Sequence, residues 1–465
     1  MTDPTAIVLV NTQVQLAPLP STLQRTGALI SQGGTTNEVG SLTPLTGPQN
    51  LATMLAPTLA ITSITWASSV ATVTTVNPHG WTNGDVIPVL IAGAVPAGYN
   101  GKFQATVTGA STFTYPLASN PGTETTPGTA TLWSAIELQQ MNNTVWAQTS
   151  FYQQIYVLEL GEQDVALGPP ELQAWITANP KVVYDWLVPR DWDALSAFTE
   201  ILADYDNPDM LTYFYVTTTV GTYSGYAAHK CVYALAEAPG VAPGNASTEF
   251  TCAAPFAWAL GQNPSSTNKV PPAQYAFVYG VTPWPIPGNL TTLSTLRTNN
   301  VNWIWTGYEG GISNTCVFIG KMSDGNMWNF WYAADWAQIN INLNLSNLVI
   351  NGSNSNINPL YYNQDGINRL QAKAVQTMKS AVSYGLGNGQ VIATSLPIAQ
   401  FVANYNAGLY AGQIVINAEP FNAYTAENPN DYGQGLYSGI SCIFIPQLGF
   451  IQILFDLTVT DLVAG

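Results

Sequence analysis

Along the 465 residues the spacing of apolar and polar positions changes character several times. Near the start Val10, Thr12, Val14 and Leu16 alternate with Asn11, Gln13 and Gln15, a period of two that predicts a strand. Pro18, Pro20 and a Gly-rich stretch follow and read as an extended arm through residue 40. The far end alternates again, over a closing arm at 436–465: Ile451, Ile453, Phe455, Leu457 and Val459 share one face, Gln452, Asp456, Thr458 and Thr460 the other. Each terminal strand needs a pairing partner, because an unpaired edge invites association. The alternation leaves open whether that partner is in cis or in another subunit.

Residues 58–132 are dominated by Thr, Val, Gly and Pro. Strand-like runs at 61–66, 71–76, 86–91, 103–108 and 112–115 are separated by turn signals such as Asn77-Pro78, Asn83-Gly84-Asp85 and Asn120-Pro121-Gly122. They predict a small all-β module, inserted into a helical connection between 51–57 and a helix at 134–147. Beyond it, apolar strands at 155–160, 182–188 and 211–217 alternate with helices. One helix lies at 171–178; the other, capped by Asp191, repeats Leu195, Phe198, Leu202 and Tyr205. Residues 41–57 and 133–220 thus read as one α/β unit. A Pro/Gly-rich middle, 221–320, carries strands near 230–235, 275–281, 301–305 and 315–319.

In the last unit, 321–435, the clearest helix spans 365–384. Ile367, Leu370, Ala374, Met378 and Ala381 form its apolar stripe and Gly385 its stop, while Arg369, Lys373 and Lys379 sit on another face. A shorter helix follows at 397–404. The predicted fold class is α/β (α+β) and multidomain, with terminal strands that pair between subunits and an inserted all-β module.

Charge changes the picture. Eleven basic and 27 acidic residues give a net charge of −16, and charged residues are only 8% of the chain, against about 25% in an ordinary soluble domain. With 46% hydrophobic residues, 14 Trp, 23 Tyr and 15 Phe, the chain is no disordered polymer. Without clustered cations it is not expected to contact nucleic acid directly. Charge depletion is a property of interface cores, so much of the surface is expected to be covered by other copies. No apolar run approaches about 18 residues, so no direct membrane insertion is expected. The Met1-Thr2-Asp3-Pro4 start lacks a basic region, which argues against a signal peptide.

Cys231, Cys252, Cys316 and Cys442 are scattered and read as buried free thiols, not as a metal site or disulfide frame. His79 lies in a turn, Asn77-Pro78-His79-Gly80, and His229 has no recognisable partner motif. Asp191/Asp193 and Asp204/Asp206 have the residue types of a glycosidase pair but flank one helix, where Asp191 reads as the N-cap and Asp206 precedes the Asn207-Pro208 turn. Gly385-Leu386-Gly387-Asn388-Gly389 follows a helix instead of opening one, which does not suit a phosphate. The expectation is no catalytic, cofactor or metal site, no cofactor, and no enzyme.

The order of motifs in the final third is Ser323-Asp324-Gly325, then Tyr332-Ala333-Ala334-Asp335-Trp336 and an Asn/Leu-rich stretch. Pro359-Leu360-Tyr361-Tyr362-Asn363-Gln364-Asp365-Gly366, the long helix, its Gly exit and the terminal strand come next. Together with Tyr213-Phe214-Tyr215-Val216 and the N-terminal strand, this order resembles the tail sheath proteins of contractile-tailed bacteriophages, in a divergent branch. The all-β module, with His79-Gly80-Trp81 and Gly98-Tyr99-Asn100-Gly101, resembles decoration modules of phage structural proteins.

The resemblance implies a structural subunit that stacks in hexameric rings around a tail tube. Its terminal arms add strands to neighbouring subunits, and its contraction drives the tube through the host envelope. Implied partners are further copies of the chain, the tail tube protein, and baseplate and tail-terminator proteins; the implied location is the virion tail, after assembly in the host cytoplasm. Because the C-terminal domain of such sheaths meets the tube, Arg369, Lys373 and Lys379 become candidate tube contacts. The competing classes are a non-contractile phage component of tube, baseplate or capsid, and a secreted carbohydrate-binding β-rich protein.

Overall fold

The computed structural model describes residues 22–148, 154–218, 223–239, 241–245, 247–284, 289–306 and 314–451. The chain begins with β1 (Thr26–Ser31) and the short β2 (Leu42–Pro44). Six strands then close into a barrel: β3 (Leu59–Ala67), β4 (Val70–Thr75), β5 (Val86–Ala92), β6 (Gly101–Gly109), β7 (Thr112–Pro116) and β8 (Thr129–Leu132), in the order β3-β4-β7-β6-β5-β8. The alternation inside this module sends Ile64, Val73, Val89, Ala105, Phe113 and Tyr115 into one core. β8, with its Thr-Ala-Thr-Leu sequence, is the strand not predicted, and it closes the barrel.

α1 (Trp133–Ala147) leaves β8 directly. The layered part continues with β9 (Gln154–Glu159), α2 (Gly168–Ala178), β10 (Asp185–Leu187), α3 (Ser196–Tyr205), β11 (Tyr213–Thr218), β12 (Val232–Ala236), α4 (Ala253–Leu260), α5 (Leu290–Thr298), β13 (Asn302–Thr306) and β14 (Thr315–Phe318). These form an eight-stranded sheet, β14-β13-β12-β11-β10-β1-β9-β2, in which the neighbours from β9 to β13 are parallel and β2 and β14 are antiparallel edges. Side chains alternate between two cores. Leu29, Val157, Tyr215 and Leu235 face α1, α4 and the next long helix, whereas Ala28, Ile30, Phe214 and Val216 face α2, α3 and α5. A sheet covered on both faces is what a parallel arrangement requires.

α6 (Trp328–Ser353) runs from this core to a second unit made of α7 (Gln364–Ser383), β15 (Gln390–Thr394), α8 (Ile398–Asn406), β16 (Gln413–Ala418), α9 (Phe421–Glu427), α10 (Asp431–Gln434) and β17 (Ile440–Ile443). The fold class is therefore α/β and multidomain, with a small closed β module, as expected from the sequence.

Several local expectations are corrected. Residues 26–31, read as arm, form a buried interior strand; Gly27 is there because α4 crosses it so closely that an added Cβ would lie 2.5 Å from Leu260 and 2.7 Å from Phe256. The middle region is not separate, since β12, β13 and β14 extend the same sheet. Residues 275–278 run beside β14 through an isolated bridge, Phe277 to Cys316, without forming a regular strand. Residues 51–57 hold a single 3-10 turn, Leu51–Thr53, not a helix. Asp191 does not cap α3, whose N-cap is Leu195; it pairs with Lys102 of the barrel. Cys231, Cys252 and Cys316 are buried and outside any disulfide, but Cys442 is exposed.

Candidate assembly surfaces

In the C-terminal unit β15 and β16 pair in parallel and β16 and β17 antiparallel, giving the order β15-β16-β17. Both faces of this sheet are occupied. Ile414 and Ile416 pack with Ala337 of α6 and with Ala374 and Met378 of α7. Val415 packs on Phe401 of α8 and Tyr410 on the opposite side. The buried Asn417 locks the connection after β15: its Oδ1 accepts from Thr394 Oγ1 (2.9 Å) and Leu396 N–H (3.0 Å), and its Nδ2 donates to the Leu396 carbonyl (2.9 Å). From α7, Gln371 Nε2 donates to the carbonyls of Thr394 (2.6 Å) and Ile416 (3.0 Å). Among the described residues the outer backbone edges of β15 and β17 have no strand beside them.

Some apolar side chains of this unit are exposed: Val402, Tyr405 and Leu409 on and just after α8, and Ile357, on the connection between α6 and α7, which is 98% exposed.

After β17 the chain crosses back. Gln447 N–H donates to the Leu386 carbonyl (2.8 Å), and Tyr275 hydroxyl donates to the carbonyl of Ile451 at the β14 side of the large sheet. Ile451 packs against that sheet's core. The other predicted pairing residues, Val10, Thr12, Val14, Leu16, Ile453, Phe455, Leu457 and Val459, lie outside the described residues.

The basic residues of α7 do not share one face. Arg369 is turned onto backbone, donating to the carbonyls of Pro359 (2.8 Å) and Asn358 (3.4 Å), where it holds the turn that follows α6. Lys373 reaches Gln376 Oε1 at 3.5 Å, and Lys379 is exposed. At 3.6 residues per turn Lys379 stands about a third of a turn from Lys373, so they form two separate positive points. Sequence spacing was read too loosely here.

Elsewhere the charged residues are used to hold the core. At the carboxyl ends of β1 and β9 the buried Glu159 ties together the turns that follow the two strands. Its carboxylate accepts from Ser31 Oγ (2.6 Å), Gly33 N–H (2.7 Å), Thr35 N–H (3.0 Å) and Oγ1 (2.6 Å), and Gly161 N–H (2.7 Å). Arg190 makes a two-pronged bond to Glu237 (2.8 and 2.7 Å) and reaches Gln140 Oε1 (2.6 Å) and Glu137 (3.5 Å) on α1. Burial pushes the Glu137 carboxyl up to about 7 despite the Arg190 charge. On α6, Asp335 accepts from the hydroxyls of Tyr184 (2.6 Å) and Tyr213 (2.7 Å), and burial raises it to about 6.

His79 occupies its turn structurally, accepting from Trp81 N–H at 3.1 Å and stacking on the Trp81 ring. His229 does have a partner: Asp206, at 2.5 Å. No local motif announces that pair, because the whole of β11 lies between the two residues in the chain.

No protein-family model matches the chain, and no curated protein matches it in sequence. Among solved structures it is similar to the sheath tail protein Lin1278 from Listeria innocua, with 9% identity and a TM-score of 0.35 over 79% of this chain and 88% of that one. It is also similar to a sheath tail protein from Desulfitobacterium hafniense, with 13% identity and a TM-score of 0.35 over 82% and 90%.

Proposed function

We propose that the chain is the subunit of a contractile phage tail sheath. In this reading copies stack as rings around a tail tube, and the terminal arms of one copy add strands to the open edges of β15 and β17 in its neighbours. Main-chain hydrogen bonds give such pairing its strength without demanding a side-chain code. The observation that carries the reading is a three-stranded sheet with both faces filled and both edges free among the described residues, in a chain whose two ends alternate as strands. The exposed Lys379 and the half-exposed Lys373 are then the groups available to meet an acidic tube, and the barrel faces outward.

Electron microscopy of the purified full chain tests this. Long hollow cylinders are expected, and deletion of residues 452–465 or of 1–17 should leave a folded monomer that forms none. Unchanged polymers from both deletions would overturn the arm-exchange reading. Cylinders that keep one length and diameter under acid and mild denaturant would instead point to a non-contractile tube or shell component.

A further inference from the structure

Three side chains of different donor chemistry meet where the end of α3 lies beside the start of β12. Asp206 is the C-cap of α3, and His229 and Cys231 stand two residues apart just before β12. Between them Lys230 turns the other way, its Nζ 5.2 Å from the rings of both Tyr213 and Trp331, so the backbone alternation brings His229 and Cys231 to one side. Asp206 Oδ2 lies 2.5 Å from His229 Nδ1, and Asp206 Oδ1 accepts from Cys231 N–H at 3.4 Å. The Cys231 thiol is buried and donates to the Leu202 carbonyl at 3.5 Å. One ligand atom from each of the three residues falls within 4.8 Å of the other two. His229 and Asp206 keep 22% and 30% of their side chains exposed, which leaves one side of the cluster open to water.

We propose that Asp206, His229 and Cys231 form a site for a zinc-type divalent cation, with water as fourth ligand. A thiolate, an imidazole and a carboxylate suit Zn(II) or Co(II) and not Mg(II) or Ca(II), which take oxygen donors. Charge balance favours the exchange. Aspartate, neutral imidazole, thiolate and a dication sum to zero. The ion takes the place of the Sγ proton, which is released to solvent, and no uncompensated charge is buried. Burial and the neighbouring Asp206 hold the free thiol well above its ordinary range, with Lys230 opposing them, so the metal is what makes the thiolate.

Tetrahedral ligation separates such donors by about 3.3–3.6 Å. The Asp206–His229 pair must then open by about 1 Å, a rotation available to two partly exposed side chains while Cys231 stays fixed. The bound ion ties the end of α3 to the start of β12.

The test uses the full-length, untagged chain with the exposed thiol removed by Cys442→Ser, and Co(II) as the probe. The expected result is tetrahedral visible absorption with a near-ultraviolet sulfur-to-cobalt band, lost on adding Zn(II) and absent in Cys231→Ser. Affinity should rise about tenfold per pH unit while the thiol must release its proton to bind the ion. His229→Gln, at a partly exposed position, should weaken binding at least tenfold and decides the matter if Cys231→Ser does not fold. A weak octahedral spectrum, or one unchanged in His229→Gln, would overturn the site and leave an Asp206–His229 ion pair over a buried thiol. Binding is read on the subunit, so the result stands apart from whether the chain polymerises.

Discussion

The barrel and the C-terminal sheet are both small β units with filled interiors, yet they end differently. In the barrel β8 returns to β3, pairing Leu59 with Ala130 and Ala60 with Thr129, so every strand has two neighbours. In the C-terminal unit α7 and α8 fill the faces and nothing among the described residues closes the edges. Hydrophobic content does not separate the two. One additional strand does, because a closed sheet offers no row of free N–H and C=O groups and an open one offers two.

The largest expected effect comes from placing proline on the free edge. In an antiparallel pair successive residues direct their backbone groups alternately toward and away from the partner strand. Of Ser441→Pro and Cys442→Pro, one should therefore disrupt the C-terminal sheet. The other should fold with little change in melting yet form no cylinders by electron microscopy. If both fold and polymerise normally, the edge plays no part in assembly.

A core truncation in each region sharpens the contrast. Phe113→Ala in the barrel should cost about 3–5 kcal/mol locally, and Ile416→Ala in β16 about 2–5 kcal/mol. Sedimentation should find polymers retained in the first and lost in the second. Loss of polymers in both would mean that the barrel belongs to the lattice.

A smaller effect should appear in pH dependence. Because the folded Asp335 carboxyl sits at about 6, above its usual range near 3.9, its protonated form favours the fold. That contribution is complete below about 4 and is lost as pH rises through about 6. Thermal stability should therefore fall between pH 5 and pH 7 by more in the native chain than in Asp335→Asn. An equal pH slope in both would show that the carboxyl does not titrate there. Smallest of all, in the proposed sheath Lys379→Glu should weaken the contact with a tube by no more than about 1 kcal/mol per subunit, and only at low salt.

The sequence made the barrel legible because its strands alternate and its turns carry Asn, Gly and Pro. It also showed α7, whose apolar stripe repeats at helical spacing. It hid β1, since a strand buried on both faces need not alternate and Gly27 resembles a loop residue until α4 is laid across it. α6 was obscured in a similar way. From Ile339 to Leu345 apolar residues alternate with Asn, a period of two on a segment that packs as helix against α7 and the large sheet. The open edges of β15 and β17 were hidden too, because they depend on long-range pairing that no local pattern reports. The Asp206–His229–Cys231 cluster was likewise invisible, because 23 residues separate Asp206 from His229.

The pairing of Leu59 with Ala130 has one further implication. Seen from the rest of the chain, a whole domain fills a gap no wider than the spacing of two adjacent strands, about 5 Å. Any compact unit with its termini side by side fits that gap, with the Lys102–Asp191 bridge and the Lys102–Trp133 contact as the fittings it would have to replace. Lineages can then exchange what this position carries, by recombination at two nearby joints, without renegotiating the remainder of the protein. For an engineer the same joints are a cloning site, one per subunit.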